Sequence, residues 1–359
     1  MQIETEQTVR NINQRCGWRN TRKLLGSSLG VTALGLDPFI ERLKEAVRTD
    51  SSLENIISNF WKDLVFSGER LITLYRLDEQ EIANVQNAMS TLSPDQSDFV
   101  RSYPTPLSKE ELLACDTSLH FAETRTDLIN EKQVETSIFL SKAFYTQIIE
   151  LDATHLSDAG IELKANGGEI KCKTREVTQC YNSVMLIPSE NLLVLTVDLS
   201  VLPRSESGHQ KFLVEQFVRN IAKIHLARPI ELFPAIQDMY EKADGRISQM
   251  SFLTADGNSS ALKLKPSQQC LRADTYHHGG ESASPILTKF KLGKIWDISQ
   301  SASQTLSVEL TLPGKRTMLD NPKQHLFEAI LSNCNSIETV VFIINKLLKS
   351  IQSIEQSAS

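Results

Sequence analysis

The run Leu192–Leu199, Leu-Leu-Val-Leu-Thr-Val-Asp-Leu, constrains the fold of this chain more than any other stretch. Side chains alternate between the two faces of a strand, so a strand apolar at consecutive positions must be covered on both. The run predicts a central strand in a helix-covered sheet, ending near a charged residue, Asp198. Asn182–Ile187 reads as its hairpin partner, turned through Pro188-Ser189-Glu190-Asn191.

Two further hairpins are expected. Ile161, Leu163 and Ala165 alternate with Glu162, Lys164 and Asn166, and Ile170, Cys172 and Thr174 alternate with Lys171, Lys173 and Arg175. The intervening Asn166-Gly167-Gly168 tolerates positive φ and reads as a turn. Ile247–Thr254 and Ser260–Lys265 repeat the pattern around Ala255-Asp256-Gly257-Asn258, with more strands expected at Ile286–Asp297 and Thr305–Leu312.

The first hundred residues read as helical. Asp37-Pro38 is a helix start that places Phe39, Ile40, Leu43 and Val47 on one face. Leu53, Ile56, Ile57, Phe60, Trp61, Leu64 and Val65 follow at helical spacing, then a weaker helix over Asp78–Leu92. Helices are also expected at Gly208–Leu226, Pro234–Ala243 and Ser336–Ser353. Together these predict an α+β chain in four segments. Residues 1–92 form a helical N-terminal domain, 93–117 a linker with a short helix, and 118–322 a mostly antiparallel sheet domain with packed helices. Residues 323–359 carry a C-terminal amphipathic helix.

Composition narrows the function classes. A net charge of −6 over 359 residues gives no whole-chain case for nucleic acid, so only the distribution of charge argues for it. The start carries Glu4 and Glu6 where a secretory leader would be apolar. The longest apolar runs, such as Val340–Ile344, fall far short of the ~20 residues of a membrane span, so no membrane insertion is expected. Six scattered cysteines without a Cys-x-x-Cys pair argue against a zinc site and for a cytoplasmic, reduced protein.

Basic residues gather on the predicted hairpins. Lys164, Lys171, Lys173 and Arg175 share the outward phase of one, and Lys263, Lys265 and Arg272 lie on and after another, followed by Lys289, Lys291 and Lys294. The N-terminal stretch adds Arg10, Arg15, Arg19, Arg22 and Lys23. A segregated basic face suits a phosphate backbone, because binding releases condensed counterions. The competing account is a solvated strand face whose lysines protect a sheet edge.

Leu271–Gly280 packs Arg272, Asp274, Tyr276, His277, His278, Gly279 and Gly280 into one segment. Arg272 is suited to a bidentate contact with phosphate or carboxylate, and either histidine to acid–base work or metal ligation. The plainer account is a structural turn. A third arrangement is an Asp…Glu-x-Lys pattern, in which carboxylates on adjacent strands hold Mg²⁺. It is met by Asp158 with Glu169 and Lys171, or by Asp152 with Glu162 and Lys164. No phosphate-binding loop and no Gly-x-Ser-x-Gly elbow occurs.

The preferred expectation is a non-enzymatic, cofactor-free subunit of a cytoplasmic multi-protein assembly. It contacts nucleic acid through Lys164, Lys171, Lys173, Arg175, Lys263, Lys265 and Arg272, with DNA and RNA not distinguished. One alternative is a Mg²⁺-dependent nuclease using Asp158, Glu169 and Lys171. The other is a protein-interaction scaffold without nucleic acid. A protein partner or a second copy is expected on the apolar stripe of the Ile337–Ile351 helix or on the N-terminal helices.

Overall fold

The computed structural model describes residues 2–358 except 266–268, 276, 278, 280–286, 302, 303 and 322. The helices before the first strand are α1 (Gln2–Leu29), α2 (Leu36–Thr49) and α3 (Ser52–Phe66). Next come β1 (Gly68–Arg76), α4 (Glu79–Ser90), α5 (Asp98–Ser102) and α6 (Lys109–Ala114). The first half of the sheet follows with β2 (His120–Ile129), β3 (Lys132–Glu150), α7 (Asp158–Ala165), β4 (Lys171–Ile187) and β5 (Leu192–Asp198). After α8 (Gly208–Ala222) and α9 (Ala235–Glu241) come β6 (Arg246–Leu253), β7 (Ser259–Lys263), β8 (Thr288–Ser301) and β9 (Gln304–Leu312). The chain closes with α10 (Thr317–Asp320), β10 (Glu328–Cys334) and α11 (Ile337–Ala358).

All ten strands join one antiparallel sheet in the order β2-β3-β4-β5-β1-β10-β9-β8-β6-β7, so the chain is α+β. β5 is buried along its whole length, as its apolar run requires. Removing one Leu or Val side chain of such a strand from water contributes roughly 1.5–3 kcal/mol. Local signals account for several elements. Asp78 caps α4 in a reciprocal box with Glu81, and Gly257 at φ 78 closes the β6–β7 turn.

β1 corrects the reading of residues 1–92 as wholly helical. It pairs with both β5 and β10, and seven of its nine residues are buried. The register relates the two halves of the sheet. β2-β3-β4-β5 followed by α8 lies on one side of β1, and β6-β8-β9-β10 followed by α11 lies on the other. Both β5 and β10 run antiparallel to β1. A half-turn about the β1 axis therefore exchanges the two sets and swaps the faces of the sheet. Packing agrees. Tyr75, Leu193 and Leu195 meet Val214 and Val218 of α8, whereas Ile72, Ala329 and Leu331 share a core with Val340 and Ile344 of α11.

Two other expectations change. Residues 158–165 are helix α7, not a strand, and Asn166-Gly167-Gly168 caps that helix instead of turning a hairpin. Gly167 takes φ 86, its N–H donates to Lys164 O at 3.1 Å, and Gly168 N–H donates to Leu163 O at 2.9 Å. The α11 stripe is also consumed within the chain. Ile337, Val340, Val341, Ile344, Leu347 and Ile351 are all buried against its own sheet, and α1 likewise buries Val9, Ile12 and Leu25. These helices therefore do not offer their apolar faces to a partner. No helix among the described residues is long and apolar enough to cross a membrane.

Candidate nucleic-acid interface

The β3–β4 pair outruns its neighbours. β2 stops pairing at His120↔Leu140, and β5 stops at Ser183↔Thr196. β3 and β4 continue alone through Ser141↔Cys180 to Glu150↔Lys171. The near part of this ribbon is clothed by α6 and α8, but Thr146–Glu150 is exposed throughout. At ~3.4 Å per residue, these last five rungs extend the arm by roughly 17 Å, with α7 at its tip.

Cross-strand partners share a face, so the register decides which side chains meet. Phe144↔Val177, Thr146↔Arg175, Ile148↔Lys173 and Glu150↔Lys171 put Lys171, Lys173 and Arg175 on one face with Phe144 and Ile148. The Arg175 guanidinium stacks on the Phe144 ring at 4.2 Å. Lys171 pairs with Glu169 at 2.5 Å. Among the described residues, Lys173 and Arg175 have no carboxylate within the 4.0 Å reach of an ion pair. Lys164 is different. Carried on α7, it reaches Glu150 at 3.3 Å and donates to Leu151 O at 2.6 Å, so it braces the tip of the arm.

Lys263 and Lys265 line a separate cleft of about 550 Å³. Arg15, Arg19 and Lys23 of α1 and Arg246 of β6 line it too, against Glu69 and Glu309. Desolvation, with Asp198 and Glu309 nearby, holds the Glu69 carboxyl above its usual range. β4 and β7 stand seven places apart in the sheet order, so the arm and this cleft do not form one patch. Along the sheet that separation is roughly 33 Å at ~4.8 Å per step. Both lie at the same end of the sheet, where β4 and β6 begin and β7 ends. Between them α1 crosses the strand ends. Arg15 pairs with Asp198 and donates to Gln179 O at 3.1 Å, and Asn20 Nδ2 donates to Asn333 Oδ1 at 3.0 Å.

No family model matches the chain, and no curated protein matches it. The chemistry of its own side chains is therefore what bears on function.

Arg272 belongs to neither basic surface. Its Nε donates to Tyr240 O at 3.1 Å, Nη1 to Gly245 O at 3.0 Å and Nη2 to Lys242 O at 2.8 Å, so the guanidinium ties the α9–β6 connection together. Asp274 accepts from His277 N–H at 3.1 Å, and the buried His277 ring sits 2.8 Å from the Tyr240 hydroxyl. The Arg272, Asp274 and His277 side chains thus brace the fold. Gly279 lines a small apolar hollow beside His277, while Tyr276, His278 and Gly280 lie outside the described residues. Lys294 is internal as well, with Nζ donating to Met239 O and Lys242 O at 2.8 Å.

The Asp…Glu-x-Lys pattern does not fall on adjacent strands. Glu162 and Lys164 are helical, Asp158 opens α7, and Glu169 precedes β4 while its carboxylate holds Lys171. Asp152 accepts from Thr154 and His155, which brings its carboxyl down to about 2. Among the described residues, no group of three or more His, Cys, Asp or Glu side chains could hold a metal ion.

The sequence reading missed the role of Asp198. Its carboxylate is buried, pairs with Arg15, and accepts from Tyr181 N–H at 3.1 Å and Ser200 N–H at 3.0 Å. Arg70 is equally buried and donates to the carbonyls of Val65, Ser67 and Tyr181. Burial pushes the Asp198 carboxyl up, but Arg15 and Arg70 more than offset it and hold it below the usual carboxylate range. The only sequence signal was a charged residue in an otherwise apolar central strand.

Proposed function

We propose that this chain binds nucleic acid through the β3–β4 arm, as the non-enzymatic, nucleic-acid-contacting part of a larger cytoplasmic assembly. The observation that carries this reading is the register that lines up Lys171, Lys173 and Arg175 beside Phe144 and Ile148 on one face of a projecting ribbon. A two-stranded ribbon is narrow enough to enter the major groove of B-DNA, about 12 Å wide. Its cations would neutralise flanking phosphates, and exposed Ile148 supplies an apolar contact between them.

Fluorescence anisotropy with a labelled 30-base-pair duplex and a matched single strand, over a salt series, tests the proposal. Binding that weakens steeply with salt is expected. The double variant Lys173→Glu/Arg175→Glu should lower the log–log slope by about 2, because each phosphate contact contributes about 0.9. A slope of zero, or unchanged binding by the variant, would overturn it. A second reading, contact with a protein partner, is favoured by Ile161 and Leu163, exposed at 42% and 62% on α7. That reading gains if nucleic acid fails to bind and Leu163→Asp alters what co-purifies with the chain.

A further inference from the structure

The cleft between α1 and the β6–β7 hairpin has a chemistry of its own. We propose that it binds a compact, multiply phosphorylated small molecule of the di- or triphosphate type, independently of the arm. Arg19 and Lys23 lie four residues apart on α1 and so share a helix face. Lys263 ends β7 and Lys265 lies just beyond it, and both line the cleft. Both pairs line one space of about 550 Å³. Arg246 lines it too, but holds Asp297 bidentately at 2.9 Å.

Two acids share the wall, and Glu309 already accepts from the Ser248 hydroxyl at 2.5 Å. Among the described residues, Arg19, Lys23 and Lys263 have no carboxylate within 4.0 Å. Like charges crowded from two elements repel one another, and an anion that bridges them relieves that repulsion. A single phosphate would reach one pair. Two or three linked phosphoryl groups reach both, with Ser307 and Asn333 as hydrogen-bonding neighbours.

Shape and composition select the ligand class. The volume falls within the ~300–1,000 Å³ range of small-molecule sites. No aromatic residue lines the cleft among the described residues, so nothing there stacks a base and recognition falls on the phosphoryl groups. A concave site of this size admits a small anion, whereas the projecting arm suits a groove. The two surfaces are therefore separable by experiment.

Isothermal titration calorimetry of the full chain with sodium tripolyphosphate tests the proposal, with sodium sulfate at equal ionic strength as control. Saturable binding of tripolyphosphate and at least tenfold weaker binding of sulfate are expected. Arg19→Glu and Lys263→Glu, both at exposed positions, should each weaken tripolyphosphate binding tenfold or more, with circular dichroism confirming that the variants fold. The arm variant Lys173→Glu/Arg175→Glu should bind tripolyphosphate like the parent chain. Absence of binding, equal binding of sulfate, or binding that survives both cleft variants would overturn the proposal.

Discussion

Asp198 shows how one carboxylate organises its surroundings. It faces Arg15 from α1, lies beside Arg70 of β1, and accepts backbone N–H groups from Tyr181 and Ser200. Arg15 also lies over the Tyr181 ring at 4.5 Å. Removing one partner from a buried ion pair leaves the other charge uncompensated, typically at a cost of about 3–5 kcal/mol. Asp198→Asn should lower the free energy of unfolding at neutral pH by that amount, measured by urea titration. The folded carboxyl titrates below its unfolded value, so its contribution is present above the usual carboxylate range. That contribution is lost as pH falls below about 4, towards the folded value. Asp198→Asn and the parent chain should therefore differ less in stability at pH 3 than at pH 7. Equal differences at both would show that the charge of Asp198 does not stabilise the fold.

The arm separates local from distant support. Beyond Tyr145↔Glu176 the β3 strand is exposed throughout and β4 alternates between exposed and half-buried positions, and the tip is closed by α7 with a cap of its own, Gly167-Gly168. Replacing Thr146–Arg175 by a short turn should leave the melting temperature within roughly 5 °C of the parent, because the removed strands pair with each other and not with the rest of the sheet. Nucleic-acid binding should disappear. A large drop in melting temperature would show that the arm supports the sheet. The same segment explains a misreading. Ile161, Leu163 and Ala165 alternate as a half-buried strand would, yet Ile161 and Leu163 are exposed, so no burial ever selected that period. By contrast, the β6–β7 turn was legible because it depends on residues within a few positions of one another.

At the scale of the molecule, β1 joins the two related sets of strands and α1 spans their ends. Cutting between the sets would expose the paired edges of a strand buried on both faces. Urea unfolding should accordingly be a single transition, with near-ultraviolet and far-ultraviolet circular dichroism coinciding. Two separated transitions would show that the halves are stable alone. The charge distribution belongs to this scale too. A chain of net charge −6 carries two basic surfaces at one end of its sheet, a polarity invisible in the total.

Periodicity and turn chemistry made the central strand Leu192–Asp198, the β6–β7 hairpin and the helix at Ile337–Ala358 readable in the sequence, since burial on one or both faces dictates residue type locally. Long-range pairing decided the rest. It placed β1 between β5 and β10, separated Lys173 and Arg175 from Lys263 and Lys265, and turned Arg272 onto backbone carbonyls. A lysine or arginine side chain looks the same in sequence whether its neighbours are water, a carbonyl or a carboxylate. Only the register of distant strands determines which of these it meets.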